Sequence, residues 1–165
     1  MAVLTPPNGS ALKIRKAGRY GVQVWGGTDW IFVNGLTSYE PKYEPTMEDD
    51  TDITSNGWAS EAGVGNKLTV AFEGLVKGTE AGGVFTPDPG LQKIIDATAS
   101  IDDNQVRMRH WRLDGLAGVP WNVEFYASVN ASPAGGKPTE LQKFSGTLSA
   151  KGEPTLIVAP AAVGS

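Results

Sequence analysis

The residues able to do chemistry in this chain are few and scattered. Among 165 residues there is one histidine, His110, and no cysteine. A Ser-His-Asp triad would have to use His110, yet no GxSxG elbow is present. His110 lies between Arg109 and Trp111 in an expected strand, where a packed or surface role fits better. The absence of cysteine removes disulfide scaffolds, thiolate metal sites and a Cys nucleophile. No zinc spacing occurs, and Gly63-x-Gly65 alone is too short for a phosphate or dinucleotide loop. Asp52-x-Thr54-x-Asn56-Gly57 copies the first half of a calcium loop, but the twelfth position is Gly63 where a bidentate Glu belongs. The sequence therefore implies no catalytic residue, no metal and no cofactor, and so no enzyme.

The carboxylates are concentrated. Ser38 to Glu61 carries Glu40, Glu44, Glu48, Asp49, Asp50, Asp52 and Glu61 against Lys42 alone, a net charge of -6 in a chain of -4. Two prolines, Pro41 and Pro45, argue against a central strand or helix, and like charges at this density resist burial. Tyr39, Tyr43, Met47, Ile53 and Trp58 are nevertheless spaced through the segment. A solvated surface loop is the plain reading; an arm with apolar anchors that docks on a neighbour is the sharper one. The second makes Tyr39, Glu40, Tyr43, Glu48, Asp49, Asp50, Asp52 and Trp58 a contact set. Upstream, Lys13, Arg15, Lys16 and Arg19 form a basic patch with no acid before Asp29. It could meet a phosphate, but its size and opposite sign favour it as the complement of the acidic arm. The net charge argues against general nucleic-acid binding. Five tryptophans, Trp25, Trp30, Trp58, Trp111 and Trp121, could stack on sugars or serve as core and interface anchors.

The elements that must position these residues are mostly strands. Twenty-one glycines and eleven prolines point to many turns and an all-β class. Alternation predicts strands at Tyr20 to Trp25, Trp30 to Val33, Lys67 to Val76, Val106 to Leu113, Trp121 to Val129, Leu141 to Leu148 and Pro154 to Val158. Gly26-Gly27, Asn34-Gly35, Gly63 to Asn66, Gly78 to Gly83 and Ala131 to Pro138 read as turns or loops. One helix is expected, capped by Asp88 with Pro89 at its first position and with Leu91, Ile94 and Ile95 as its packed face. Thr69, Glu73 and Glu124 fall on the wet faces of their strands. The expectation is one domain over residues 1–165, with an irregular arm at 1–12, the acidic loop at 38–61 and a frayed tail at 159–165. Its fold is mainly β: a β-sandwich or partly open barrel of seven to eight antiparallel strands with one flanking helix. With no run of 18 apolar residues and no signal-peptide pattern at MAVLTPPNGS, a protein made and used in a cytosol, without membrane binding, is expected.

In this order the features resemble the major tail tube protein of long-tailed bacteriophages. The resemblance spans roughly residues 15–158. It rests on Trp30-Ile31-Phe32-Val33-Asn34-Gly35, the polar arm with Ser38-Tyr39-Glu40-Pro41 and Asp49-Asp50-Thr51-Asp52, and Gly57-Trp58 closing that arm. The helix from Asp88 to Thr98 and the run Pro138 to Leu148 before Gly152-Glu153-Pro154 complete it. It implies a structural virion protein, assembled in the bacterial host cytoplasm, whose subunits form stacked, usually hexameric rings around a lumen. DNA would pass only as non-specific cargo, with Thr69, Glu73 and Glu124 as lumen candidates. Implied partners are other copies of the chain and the tape-measure, tail-tip and tail-terminator proteins. A monomeric carbohydrate-binding β-sandwich, or another phage structural domain such as a capsid decoration or tail-terminator protein, remains as an alternative.

Overall fold

The computed structural model describes residues 19–52, 58, 59 and 61–161. Nine strands and one helix occur among them. They are β1 (Tyr20–Trp25), β2 (Trp30–Phe32), β3 (Leu36–Asp49), β4 (Glu61–Leu75), β5 (Gly78–Ala81), β6 (Val84–Pro87), α1 (Pro89–Ala99), β7 (Val106–Arg112), β8 (Val123–Ala134) and β9 (Lys143–Leu156). Seven strands form one antiparallel sheet in the order β2-β1-β7-β8-β9-β4-β3, and β5 pairs only with β6.

The alternation of β8 shows how the sheet is built. Val123, Phe125, Ala127, Val129 and Ala131 are buried, and the residues between them face outward. Val22 and Val24, Val106 and Met108, Leu68, Val70 and Phe72, and Phe144 and Leu148 continue the buried face across the sheet. The sheet is strongly curled. Tyr20 on β1 and Tyr39 on β3 lie five positions apart in strand order, yet their ring centroids are 5.4 Å apart. The buried face therefore folds onto itself as a sandwich without a closed barrel.

Helix α1 covers the apolar interior next to β1, β2, β7 and β8. Asp88 accepts from the Leu91 N–H at 3.2 Å and from the Asn34 side-chain amide at 2.8 Å, so the cap also fixes the turn after β2. Leu91 and Ile94 are fully buried and Ile95 is partly buried against the same core. Each of the first two contributes about 1.5–3 kcal/mol by burial. Gly90 sits directly on the backbone of Phe32 and Val33, leaving no space for a Cβ.

The seam between the two halves holds the single histidine. His110 is wholly buried; its Nε2 lies 2.7 Å from the Pro120 carbonyl and its Nδ1 lies 2.9 Å from the Tyr39 hydroxyl. A carbonyl can only accept, so Nε2 carries the proton and Tyr39 donates to Nδ1. Burial pushes the imidazole down from 6.5 to about 4, and burial likewise pushes the Tyr39 hydroxyl well up.

Five sequence expectations need correction. The segment after Ser38 is not an irregular loop: β3 runs to Asp49 and pairs with β4 as far as Asp49 opposite Glu61. Its prolines are tolerated because β3 is the last strand of the sheet, where a missing N–H costs no ladder bond. Gly63 to Asn66 likewise belongs to β4. Gly78 to Gly83 is not a bare turn but strand β5 with Gly82 and Gly83 making the turn into β6. The last two expected strands are one, β9, because Gly152 at φ 79° takes up the irregularity opposite β8 without ending the strand. Ala131 to Ala134 also continues β8.

Two outcomes follow from this packing. Gly90→Ala should lower stability by about 1–3 kcal/mol, because the methyl group meets backbone that cannot yield; denaturant unfolding measures it, and an unchanged midpoint would contradict the close approach. Between pH 6.5 and about 4 the unfolded chain binds a proton at His110 that the folded chain refuses. Stability should therefore fall by about 3 kcal/mol in total as pH drops through that window. In His110→Gln that part of the slope should vanish in urea titrations at pH 7, 5.5 and 4.5.

Candidate functional site

The face of the sheet opposite the core has three zones, each set by strand parity. Far from β3 stands a ladder of arginines and aromatics. β1 and β2 contribute Trp25 and Trp30, which are cross-strand partners with ring centroids 5.3 Å apart. β7 adds Arg107, Arg109 and Trp111, alternate residues on one side of the strand. The Trp111 ring lies over Gly21, its pairing partner, where a Cβ would collide with it. The Arg109 guanidinium is 4.3 Å from the Trp30 ring centre and 5.9 Å from that of Trp111, and Gln23 Oε1 accepts from its Nε at 2.8 Å. Arg107 lies 5.3 Å and 5.2 Å from the rings of Trp25 and Trp30 and donates through Nε to Glu124 at 2.6 Å. Ring contact together with the Nε hydrogen bonds restrains both guanidinium groups. Desolvation against these rings draws the Arg109 pKa down from its ordinary value, while nearby Glu124 acts the other way.

The middle zone is short and polar. Ser128 faces Ser149, Asn130 faces Thr147 and Ser132 faces Ser145 across β8 and β9. An open groove of about 630 Å³ runs along it, with Asp102 and Asn104 on its rim. Thr69 and Glu73 on β4 share this face, opposite Ser149 and Ser145. Glu124 shares it too but is engaged by Arg107.

The third zone is the hairpin of β3 and β4. The pairing of β4 with β9 reaches Thr69, whereas β3 and β4 stay paired to Asp49 and Glu61. Beyond Thr69 the two strands form a ribbon with no third strand beside it, and from Lys67 back to Gly63 every β4 residue is exposed. Glu44 accepts from Lys42 at 3.2 Å and from the Thr69 hydroxyl at 3.0 Å, and both contacts hold its carboxyl below the usual range. Asp49 is likewise held low by hydrogen bonds from Thr51, whose N–H it accepts at 2.9 Å.

Of the contact set expected from sequence, Glu40, Glu48, Asp49, Asp50, Asp52 and Trp58 are exposed, Trp58 at 79%. Tyr39 and Tyr43 instead turn toward their own core, where burial raises the pKa of both. Arg19 is exposed beside β1, and its carbonyl accepts from the Leu113 N–H at 3.0 Å. Lys13, Arg15 and Lys16 lie outside the described residues, as do Thr54, Asn56 and Gly57 of the calcium-like motif. Among the described residues no group of three His, Cys, Asp or Glu side chains could hold a metal ion. The arginine-tryptophan ladder was not expected as a unit. Its signal was Arg107-x-Arg109-x-Trp111 on a strand paired with Gln23-x-Trp25, visible only once the register was known.

No protein-family profile matches the chain, and no curated protein matches it in sequence. Solved structures do. A chain from the tail of an empty gene transfer agent particle, treated with helical refinement and C6 symmetry, superposes with a TM-score of 0.61 at 13% identity. The match covers 84% of this chain and 95% of that one. A chain from the virion of a native gene transfer agent particle gives 0.63 at 11% identity with the same coverage. The fold is thus one that phage-like tails use.

Proposed function

We propose that this chain is the subunit of a phage-type tail tube: a structural virion protein that closes into rings, hexameric by analogy with the C6 tail, and stacks them into a hollow tube. The observation that carries the reading is the paired ribbon of β3 and β4, which leaves its own sheet beyond Thr69. A two-stranded ribbon with both faces wet is marginal by itself and gains its stability from a neighbour. The shared fold with a C6 tail chain over 84% of this chain supports a ring as the setting. Head-to-tail contacts close by rotation into such a ring, and rings repeat by translation.

In that setting the polar zone bearing Ser128, Asn130, Thr147, Ser149, Thr69 and Glu73 suits the lumen. Short hydroxyl and amide side chains dominate it, and its one lysine, Lys151, stands in a groove also lined by Asp102, so DNA meets little cationic hold. Glu124 fits this role less well than Thr69 and Glu73, because Arg107 neutralises it. Partners in the virion would be further copies of the chain and the tape-measure, tail-tip and tail-terminator proteins. The carbohydrate-binding alternative needs a platform of open indole faces; Arg107 and Arg109 lie against Trp25, Trp30 and Trp111, which leaves Trp58 as the freely exposed ring.

Negative-stain microscopy and sedimentation of concentrated protein test the reading. Tubes or stacked rings are expected. Rings that never stack would favour a terminator or decoration role, and a persistent monomer would overturn the proposal. Replacing residues 46–65 with Asn-Gly closes the hairpin at the Pro45 and Asn66 pair. That variant should keep its melting temperature within a few degrees, since the ribbon buries little, yet no longer form tubes.

A further inference from the structure

We infer that the receptor for the acidic hairpin end is the Arg109 ladder on a second copy of this chain; the inference rests on the assembly reading above. Between Lys42 and Lys67 the sequence holds Glu44, Glu48, Asp49, Asp50, Asp52 and Glu61 and not one Lys, Arg or His. Glu44 is paired with Lys42, but Glu48, Asp49, Asp50 and Glu61 meet no cation among the described residues. The ribbon stays paired as it leaves the sheet. At about 3.4 Å per residue, the path from Lys42 to Asp49 carries the end roughly 24 Å outward.

The ladder has the matching chemistry. Arg107, Arg109 and Lys151 share the outward face with Glu124, and Arg107 takes that carboxylate. Arg109 is bound to neutral Gln23, and no carboxylate lies within ion-pair distance of it among the described residues. It is restrained by the Trp30 ring and the Gln23 hydrogen bond, so less side-chain freedom remains to be lost on binding. Exposed Phe32 and Tyr126 border the site and supply apolar contact. Stacked Arg with Trp and Tyr is the composition in which interface energy concentrates, and a planar guanidinium suits a carboxylate pair such as Asp49 and Asp50.

The chain's lack of cysteine makes the test direct. Asp50→Cys and Tyr126→Cys proteins are mixed, assembled and treated with a short bismaleimide. A crosslinked heterodimer is expected. Its absence, with efficient crosslinking of Asp50→Cys to Lys16→Cys instead, would overturn the inference in favour of the N-terminal basic patch. In parallel, Arg109→Glu should raise the protein concentration needed for assembly at least about tenfold, and adding Asp50→Arg to it should recover much of the loss. Arg109→Gln, milder for folding, should show a smaller loss in the same direction. Wild-type protein that assembles while both Arg109 variants match it would sink this inference alone. Wild-type protein that never assembles would sink the tail tube reading with it.

Discussion

A polar bridge at the seam ties the curled sheet into one shape. Curling brings the β1 and β7 half over the β3 and β4 half, and the apolar residues between them supply the attraction. Dispersion and burial have no direction, and so do not choose how far the sheet curls. The contact from Tyr39 through His110 to the Pro120 carbonyl does choose, because three groups at 2.9 Å and 2.7 Å satisfy one another only in one arrangement. A buried imidazole left unpaired would cost more than the bridge returns, which makes the geometry close to all-or-none. Tyr20 packs on both Tyr39 and His110, adding aromatic contact to the same point. The bridge begins on β3, the strand that also runs out into the hairpin, so the direction of the projecting ribbon is set by the same residues that close the core.

How much of this was legible follows from the range of each signal. Helix α1 was readable because its signals are local: Asp88, Pro89 and the Leu91, Ile94 and Ile95 stripe lie within a few residues of one another. The alternation of β8 was readable for the same reason. Strand β3 was not, because Pro41, Pro45 and the acids contradict strand propensity, and an edge position that excuses them is a property of the whole sheet. The role of His110 was only half legible. Its burial was a fair expectation, whereas its partner Tyr39 lies 71 residues away and was read as a contact for a neighbour. The arginine-tryptophan ladder needed three strands in register before its parts became one surface.

The edge formed by β3 constrains how a neighbour can join. In an antiparallel edge strand, alternate residues turn both backbone groups away from the sheet. Pro41 and Pro45 share one parity with Tyr39 and Tyr43; side chains of that parity turn to the core, while its backbone N–H positions are the ones directed away from β4 at the edge. Half of the outward donors on this stretch are thus missing while every carbonyl remains. Such an edge resists indiscriminate strand addition, which protects a subunit waiting at high concentration. It also means that backbone pairing along β3 would be weak as a means of fixing one neighbour. Side chains must then carry more of the specificity, and the two places where this chain concentrates charge and aromatic surface are the hairpin end and the Arg109 ladder. The blunted edge and the charged ribbon are in this sense one solution. The strand that cannot readily pair through its backbone is extended until its carboxylates can reach a partner.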